Sequence, residues 1–228
     1  MTSENRGSLR NMKTFARGIG NLKHRKGATE ASPLVEMPAP KRIVLPMMQN
    51  LGVPAEPIVK VGDEVVEGQK VADSSKFVSA PIHASIAGKV TKIEKLTHPT
   101  GVQSLSIVIE AGGEAPVTMR CELPVSPESA APDDIRKAIR EAGIVGLGGA
   151  AFPAHVKLNP PKEKKIDTVI INGCECEPFI TIDHRLMLER TTDLLFGARL
   201  VARAVGAGRL VFGIEENKPD AIAKIRAE

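Results

Sequence analysis

The sequence predicts a multidomain α+β chain, an all-β domain first and an incomplete α/β domain after it. Three observations carry that prediction. Between residues 41 and 115, short β-rich runs follow one another with Gly-Asp, Glu-Gly and Ala-Gly pairs between them, the pattern of a small sandwich or barrel. Between 133 and 228, apolar runs of strand length alternate with stretches of helical period, the pattern of an α/β unit with parallel strands. Tyr and Trp are absent and only 6 Phe occur in 228 residues, so both cores must be aliphatic.

Residues 1–40 lack periodicity and read as a basic extended arm. Residues 1–30 carry seven Lys/Arg (Arg6, Arg10, Lys13, Arg17, Lys23, Arg25, Lys26) against Glu4 and Glu30, a net +5, whereas the rest of the chain sums to −1. Such an arm could touch an anionic partner, or it could be a solvated tail. In the all-β domain, 41–115, strands are expected at 42–45, 58–61, 64–66, 70–72, 77–79, 89–93 and 105–109. Residues 116–132, rich in Pro, Ser, Glu and Ala, read as a linker. Asp133 is expected to cap a helix whose apolar stripe is Ile135, Ala138, Ile139 and Ala142, closed by Gly143 as a C′ glycine. Thr168–Ile171 reads as a buried strand, about 182–205 as a helix (broken or continuous), and Arg209–Ile214 as a second strand. Asn217 is expected to cap a last helix with Pro219 in its first turn. The sequence stops inside that helix and two strands do not complete a sheet, so the expectation is a portion of a longer protein.

The chemistry concentrates in two segments. Gly146-Leu147-Gly148-Gly149-Ala150-Ala151-Phe152-Pro153 lets backbone N–H groups approach an anionic or flat ligand. Asn172-Gly173-Cys174-Glu175-Cys176-Glu177-Pro178 follows the first apolar strand and offers an amide, thiols and carboxylates. In an open parallel sheet ligands bind beyond the carboxyl ends of the strands; this places Asn172–Glu177 and, from the second strand, Glu215, Glu216 and Asn217 on one rim. The two segments read as the lips of one nucleotide or flavin pocket. Gly146-x-Gly148-x-x-Ala151 fits the dinucleotide pattern in letters, but it follows a helix instead of a strand and runs into Phe152-Pro153, so an ordinary Rossmann site is not expected. Glu175 and Glu177 suit hydroxyl and N–H donors, and Lys157 suits a phosphate. Glu175, Glu177, Asp183 and His184 could instead hold a divalent metal, although no spacing matches a metal motif. Cys174 and Cys176 do not by themselves make a closed metal site; Cys121 carries no signal. His155 and His184 read as local hydrogen-bonding residues.

The totals narrow the function classes. The shortage of aromatic residues argues against stacking on single-stranded nucleic acid. No apolar run reaches the length of a membrane span and no secretory leader is visible. An odd number of cysteines, two of them one residue apart, fits a reducing cytoplasmic setting.

Val61–Val71 followed by Ala80–Val90 resembles the barrel-sandwich hybrid domains of lipoyl and biotinyl carriers, in which a hairpin lysine is modified. Lys76 lies near that place, but Asp73-Ser74-Ser75 precedes it and it reads as an unmodified surface lysine. Longer blocks then resemble the RnfC family, the peripheral subunits of Rnf ion-translocating ferredoxin:NAD oxidoreductase complexes. They are Pro54–Asp63, Ser79–Ser85, Gly143–Pro153, Asn172–Pro178 and Asp183–Glu189, and the resemblance runs from about Lys13 to the end. The barrel leads the glycine-rich domain, the order of that family.

The resemblance implies an α/β domain like the FMN subunit of respiratory complex I. By position, Gly146, Gly148, Gly149, Lys157, Asn172, Cys174 and Glu175 would contact FMN. Phe152 would stack on the dinucleotide, Glu177 would hold a hydroxyl or the carboxamide of NADH, and Glu215 and Glu216 would lie on the same rim. Cys174 stands where the complex I pattern has Asp, and Leu147 where it has Arg. The family also implies two [4Fe-4S] clusters on C-terminal cysteine runs, which this chain lacks. The implied role is electron exchange between NAD(H) and FMN and on to iron–sulfur carriers. It would act within a membrane complex at the cytoplasmic face, with the other Rnf subunits as partners. The alternative is a non-catalytic assembly or docking fragment that binds no flavin.

Overall fold

The computed structural model describes residues 23–112, 119, 129–147, 149 and 151–228. The front of the basic arm, most of the linker with Cys121, and Gly148 and Ala150 of the glycine cluster lie outside the described residues. The chain forms two compact units. Of the described residues, the larger holds those within 35–171 and 193–212; the smaller holds 23–34, Asn172–Thr192 and Gly213–Glu228.

In the larger unit seven strands make two antiparallel sheets. Strands β1 (Arg42–Pro46), β7 (Gln103–Ala111), β6 (Gly88–Thr97) and β3 (Glu64–Val65) lie in that order in one. Strands β2 (Glu56–Pro57), β4 (Lys70–Asp73) and β5 (Ile82–His83) lie in that order in the other. The core is aliphatic, as the composition requires: Val71, Val90, Ile107 and Ile109 are wholly buried among Met47, Val65, Ile82 and Ile86. Each buried side chain of that size contributes about 1.5–3 kcal/mol.

Five expected strands recur nearly as read, as β1, β3, β4, β6 and β7. Two do not form. Ile58–Val61 is a turn region with Ile58 and Val61 exposed, although the Ile58 N–H still reaches the Val71 carbonyl at 2.9 Å. Phe77–Ser79 is also a turn, because the buried Ser79 hydroxyl donates to the carbonyls of Ser74 and Lys76 and so replaces a strand ladder locally. The short strands β2 and β5 were not expected.

Helix α1 (Pro132–Glu141) and helix α2 (Ala154–Lys157) follow in the same unit. The cap of α1 is Ala131, not Asp133. Pro132 occupies the first helical position, where its fixed φ suits the start, and Asp133 falls in the first turn facing Arg136. Gly143 does close the helix, at φ +68; a Cβ there would lie 2.5 Å from the Pro81 carbonyl oxygen. The stripe Ile135 and Ile139 packs with Leu158, Leu200, Val201 and Val205.

Strands β8 (Thr168–Gly173) and β9 (Arg209–Ile214) are hydrogen-bonded neighbours, and both run from the larger unit into the smaller. Strand β8 is not the buried strand its apolar run suggests, since Ile170 is 68% exposed. The helical stretch between them is broken at Arg190 (φ −127, ψ 34) into α3 (Ile182–Glu189) and α4 (Thr191–Val205). Helix α5 (Pro219–Ala227) begins with Pro219, and its cap is Lys218 rather than Asn217. In the smaller unit the arm is not extended throughout: Lys26–Ala28 form a 3₁₀ turn.

Candidate functional site

The glycine cluster of the larger unit is the tip of a small hairpin. Val145 bridges Pro153 antiparallel, the Gly146 N–H donates to the Phe152 carbonyl at 3.0 Å, and the Ala154 N–H donates to the Ile144 carbonyl at 2.9 Å. Ala151 takes a left-handed backbone, φ +50, which costs a non-glycine residue about 1–2 kcal/mol. Its carbonyl accepts the Leu51 N–H at 3.3 Å, so the first domain supports the strained position. Leu147 is 95% exposed at the tip. A Cβ placed on Gly149 would meet no heavy atom within 4 Å, and one on Gly146 would lie 3.6 Å from the Lys157 ammonium. The backbone at Gly149 therefore has open space beside it, and the Lys157 ammonium lies next to Gly146.

Helix α1 sets that hairpin on the barrel domain through a four-charge network. The Arg140 guanidinium donates to both Asp73 oxygens at 2.7 and 3.2 Å, to the Ser74 carbonyl at 2.8 Å and to Glu141 at 2.7 Å. Lys70 joins Asp73 at 3.1 Å and also Glu141. Burial works against each charged form, yet the pairing wins for all four. Asp73 and Glu141 are held below the ordinary carboxylate range, and Lys70 and Arg140 are raised. Burial lowers the neighbouring His83. His155, buried in α2, has its Nε2 3.0 Å from the Phe77 carbonyl.

The other segment lies in the smaller unit. Asn172 closes a local turn by accepting the Cys174 N–H at 3.1 Å. The ends of β8 and β9 come together there as expected: the Glu175 N–H donates to Glu215 Oε2 at 3.3 Å, and the Cys174 thiol lies 3.6 Å from the Gly213 carbonyl. Gly173 sits in a tight crossing, where a Cβ would lie 3.1–3.3 Å from Met187 Sδ, the Gly213 oxygen and Ile214. Cys174, Cys176, Glu177 and Glu216 are exposed. Glu175 is different: it is 4% exposed, and its Oε1 accepts the Asp183 N–H at 2.7 Å in the first turn of α3.

Two buried lysines pair with two carboxylates of this unit, the buried Glu175 and the half-buried Glu215. Lys26 lies 3.4 Å from Glu175 Oε2, and Lys218, 3% exposed, pairs with Glu215. The Lys218 hydrogen bond holds Glu215 below its ordinary range. Asp183 is raised by its own burial and by the nearby Glu175 charge. His184 Nε2 pairs with Asp220 at 2.9 Å; burial acts upward on Asp220, but the histidine holds it low. Thus the four residues weighed as metal ligands have other partners or point into solvent, and among the described residues no group of three or more His, Cys, Asp or Glu could hold a metal ion.

The sequence-predicted residues therefore fall into two groups. Gly146, Gly149, Phe152 and Lys157 share the larger unit; Asn172, Cys174, Glu175, Glu177, Glu215 and Glu216 share the smaller. Lys26 and Lys218 were missed. Neither has a local signature, because Lys26 meets Glu175 across 149 positions and Lys218 reads as an ordinary cap-proximal lysine.

Comparison with known proteins agrees with both domains. Residues 13–114 match the family described as RnfC barrel sandwich hybrid domain, and residues 139–228 match the Nuo51 FMN-binding domain. The chain is 42% identical over 209 residues to the C subunit of the Na(+)-translocating ferredoxin:NAD(+) oxidoreductase complex of Acetobacterium woodii, covering 92% of this chain and 47% of that protein. It is 39% identical over 215 residues to the C subunit of the proton-translocating ferredoxin:NAD(+) oxidoreductase complex of Clostridium ljungdahlii, covering 94% and 47%. It is 42% identical over 202 residues to the C subunit of the ion-translocating oxidoreductase complex of Rhodobacter capsulatus, covering 86% and 38%. The chain spans about half the length, or less, of these curated relatives. With both domain families in this order and identities of this size, the chain belongs to the RnfC family of subunits.

Proposed function

We propose that this chain is the NAD(H)- and FMN-binding portion of an electron-transfer subunit in an Rnf-type ion-translocating complex. In that role it exchanges electrons between NAD(H) and FMN and passes them on to iron–sulfur carriers. The whole complex couples this to ion movement. The observation that carries the proposal is the union of the β8 and β9 ends at Glu175 and Glu215, in a region that matches an FMN-binding domain. The donor set suits FMN. The uncovered backbone at Gly149, and Gly146 with the Lys157 ammonium next to it, suit a flat, phosphate-bearing ligand. Gly148 belongs to the same run.

When bound, FMN supplies the hydride and single-electron chemistry. The residues of this chain bind and orient. Lys157 offers charge to the phosphate, while Asn172 and Cys174 present backbone and side-chain groups to the ribityl and ring, with Glu175 buried behind them against Lys26. Phe152 offers a face for stacking, and Glu177, exposed, accepts from a ribose hydroxyl or the carboxamide of NADH. Glu215 and Glu216 complete the acidic rim. The lysine partners of Glu175 and Glu215 matter here, because they remove two negative charges from the neighbourhood of an anionic ligand.

Two [4Fe-4S] clusters, which the family resemblance implies, would need more cysteines than Cys121, Cys174 and Cys176. The other Rnf subunits are the proposed partners. No described helix is long and apolar enough to cross a membrane, which suits a peripheral position at the cytoplasmic face. The first domain is by the same proposal a lipoyl-like barrel-sandwich hybrid, with Lys76 exposed.

The test is anaerobic addition of NADH to the FMN-incubated, gel-filtered chain. Co-elution of flavin and bleaching of its absorbance are expected. A colourless chain after gel filtration would favour the docking role instead.

A further inference from the structure

The C-terminal end of the basic arm is built into the smaller unit. The Phe179 N–H donates to the His24 carbonyl at 2.9 Å, and the Phe179 carbonyl accepts the Thr29 hydroxyl at 3.3 Å. Thr29 Oγ1 also lies 2.9 Å from the Thr181 hydroxyl. Arg185 donates to the Glu30 carbonyl at 3.2 Å, and the Leu34 N–H donates to the Glu189 carboxylate at 3.0 and 3.2 Å. Residues His24–Leu34 thus follow one face of the chain from the Cys174–Glu177 loop to the end of α3.

Two features single out what this strap does. Phe179 has a left-handed backbone, φ +68, a strained state for an aromatic residue, and its N–H and carbonyl are both held by the arm. At the centre is Lys26, 9% exposed although it is a lysine. Its ammonium donates to the Glu175 backbone carbonyl and lies 3.4 Å from the Glu175 carboxylate. That carboxylate in turn caps Asp183 N–H, and the Glu175 N–H reaches Glu215, which Lys218 pairs. Lys26 and Glu175 are therefore interlocked at main chain and side chain, with no charge left over. A buried carboxylate deprived of its cation is strongly destabilising, so the ammonium and the loop geometry stand or fall together.

We propose that Lys26 is a positioning residue for the Asn172–Pro178 loop, and that the His24–Leu34 strap is a working part of the ligand-binding unit. Lys26 fixes the direction of the Glu175 peptide and neutralises its carboxylate, which leaves Cys174, Cys176 and Glu177 as the groups presented outward. The ligand part of this proposal rests on the FMN/NADH reading of the loop; the positional part does not.

The experiment uses the 228-residue chain as wild type, Lys26→Met, Lys26→Arg and Thr29→Val. Amide hydrogen exchange is followed without ligand, and FMN binding by fluorescence quenching. Lys26→Met should speed exchange at Phe179 and Asp183 by about tenfold or more, with β6 and β7 unchanged. Lys26→Arg, which keeps the charge and hydrogen bonds, should restore protection. Thr29→Val, which leaves the ion pair in place, should speed exchange at Phe179 more than at Asp183, and it serves the test if Lys26→Met does not fold. FMN affinity should fall about tenfold in Lys26→Met and recover in Lys26→Arg. Unchanged exchange at Phe179 and Asp183 in Lys26→Met, or in Thr29→Val unchanged exchange at Phe179, would overturn the strap. Altered exchange with unaltered FMN affinity would overturn its role toward the ligand. If the wild-type chain takes no FMN, the functional reading fails by itself, and exchange alone decides the strap.

Discussion

Replacing Arg140 with Met removes the centre of the charge network that joins α1 to β4. Four hydrogen bonds go with it, three of them to carboxylate oxygens. Charge-assisted bonds are each worth about 1.5–3 kcal/mol when dry, and breaking a fully buried pair costs about 3–5 kcal/mol. Here the guanidinium is 24% exposed, Asp73 25% and Glu141 38%, so water screens part of the interaction and exposed pairs are worth only about 0–1 kcal/mol. Lys70 also remains to share Asp73 and Glu141. Between these limits the expected loss is about 2 kcal/mol. Urea unfolding of wild type and Arg140→Met measures it as a lower midpoint with unchanged slope. The cycle completed by Asp73→Asn should show coupling of about 1 kcal/mol. A loss under about 0.5 kcal/mol, or strict additivity, would refute the network as the clamp between barrel and helix. Because Gly143 and the glycine hairpin follow α1 directly, FMN affinity should fall in the same variant.

Gly143→Ala should cost about 2 kcal/mol or more, from its positive φ and from a Cβ 2.5 Å from the Pro81 oxygen; thermal unfolding checks it, and an unchanged midpoint would contradict it. Gly149→Ala should leave stability within about 0.5 kcal/mol, since a Cβ there meets nothing, but should weaken FMN binding; equal affinity would remove Gly149 from the site. Stability should fall on acidification. Asp73, Glu141, Glu215 and Asp220 all have folded-state values below their unfolded ones. Their contribution is therefore full above the unfolded values and lost as pH falls through the folded ones, below about pH 4. Lys70 works in the opposite sense: its raised value adds stability that is lost only as pH rises past the lysine range, about pH 10. Urea midpoints between acid and neutral pH test the first limb, and a flat profile would contradict it.

Much of this was legible because it is local. The aliphatic runs around Val71, Val90 and Ile107 announce strands by composition, and Gly143 announces a helix end because few other residues accept its φ. The rim at Glu175 and Glu215 followed from the rule that strand ends carry sites. What was not legible depends on distant partners. Phe77–Ser79 has strand letters, but the hydroxyl of Ser79 turns the chain. Ile170 reads as core, yet nothing in an apolar run says how many layers cover it. Asp133 is a good cap residue, but with Pro132 at the first helical position the cap falls two residues earlier, at Ala131. Lys26 was indistinguishable from six other basic residues of the arm, since its carboxylate lies far along the chain.

The proposed function assigns flavin-binding roles to Lys157 and to Asn172. Equilibrium titration of FMN into the wild-type chain and into Lys157→Ala and Asn172→Ala tests this without intermediaries. One FMN per chain is expected, with each substitution weakening it by about tenfold and neither changing the unfolding midpoint by much. Saturation that ignores one of the two substitutions, or no binding by the wild type, would contradict it.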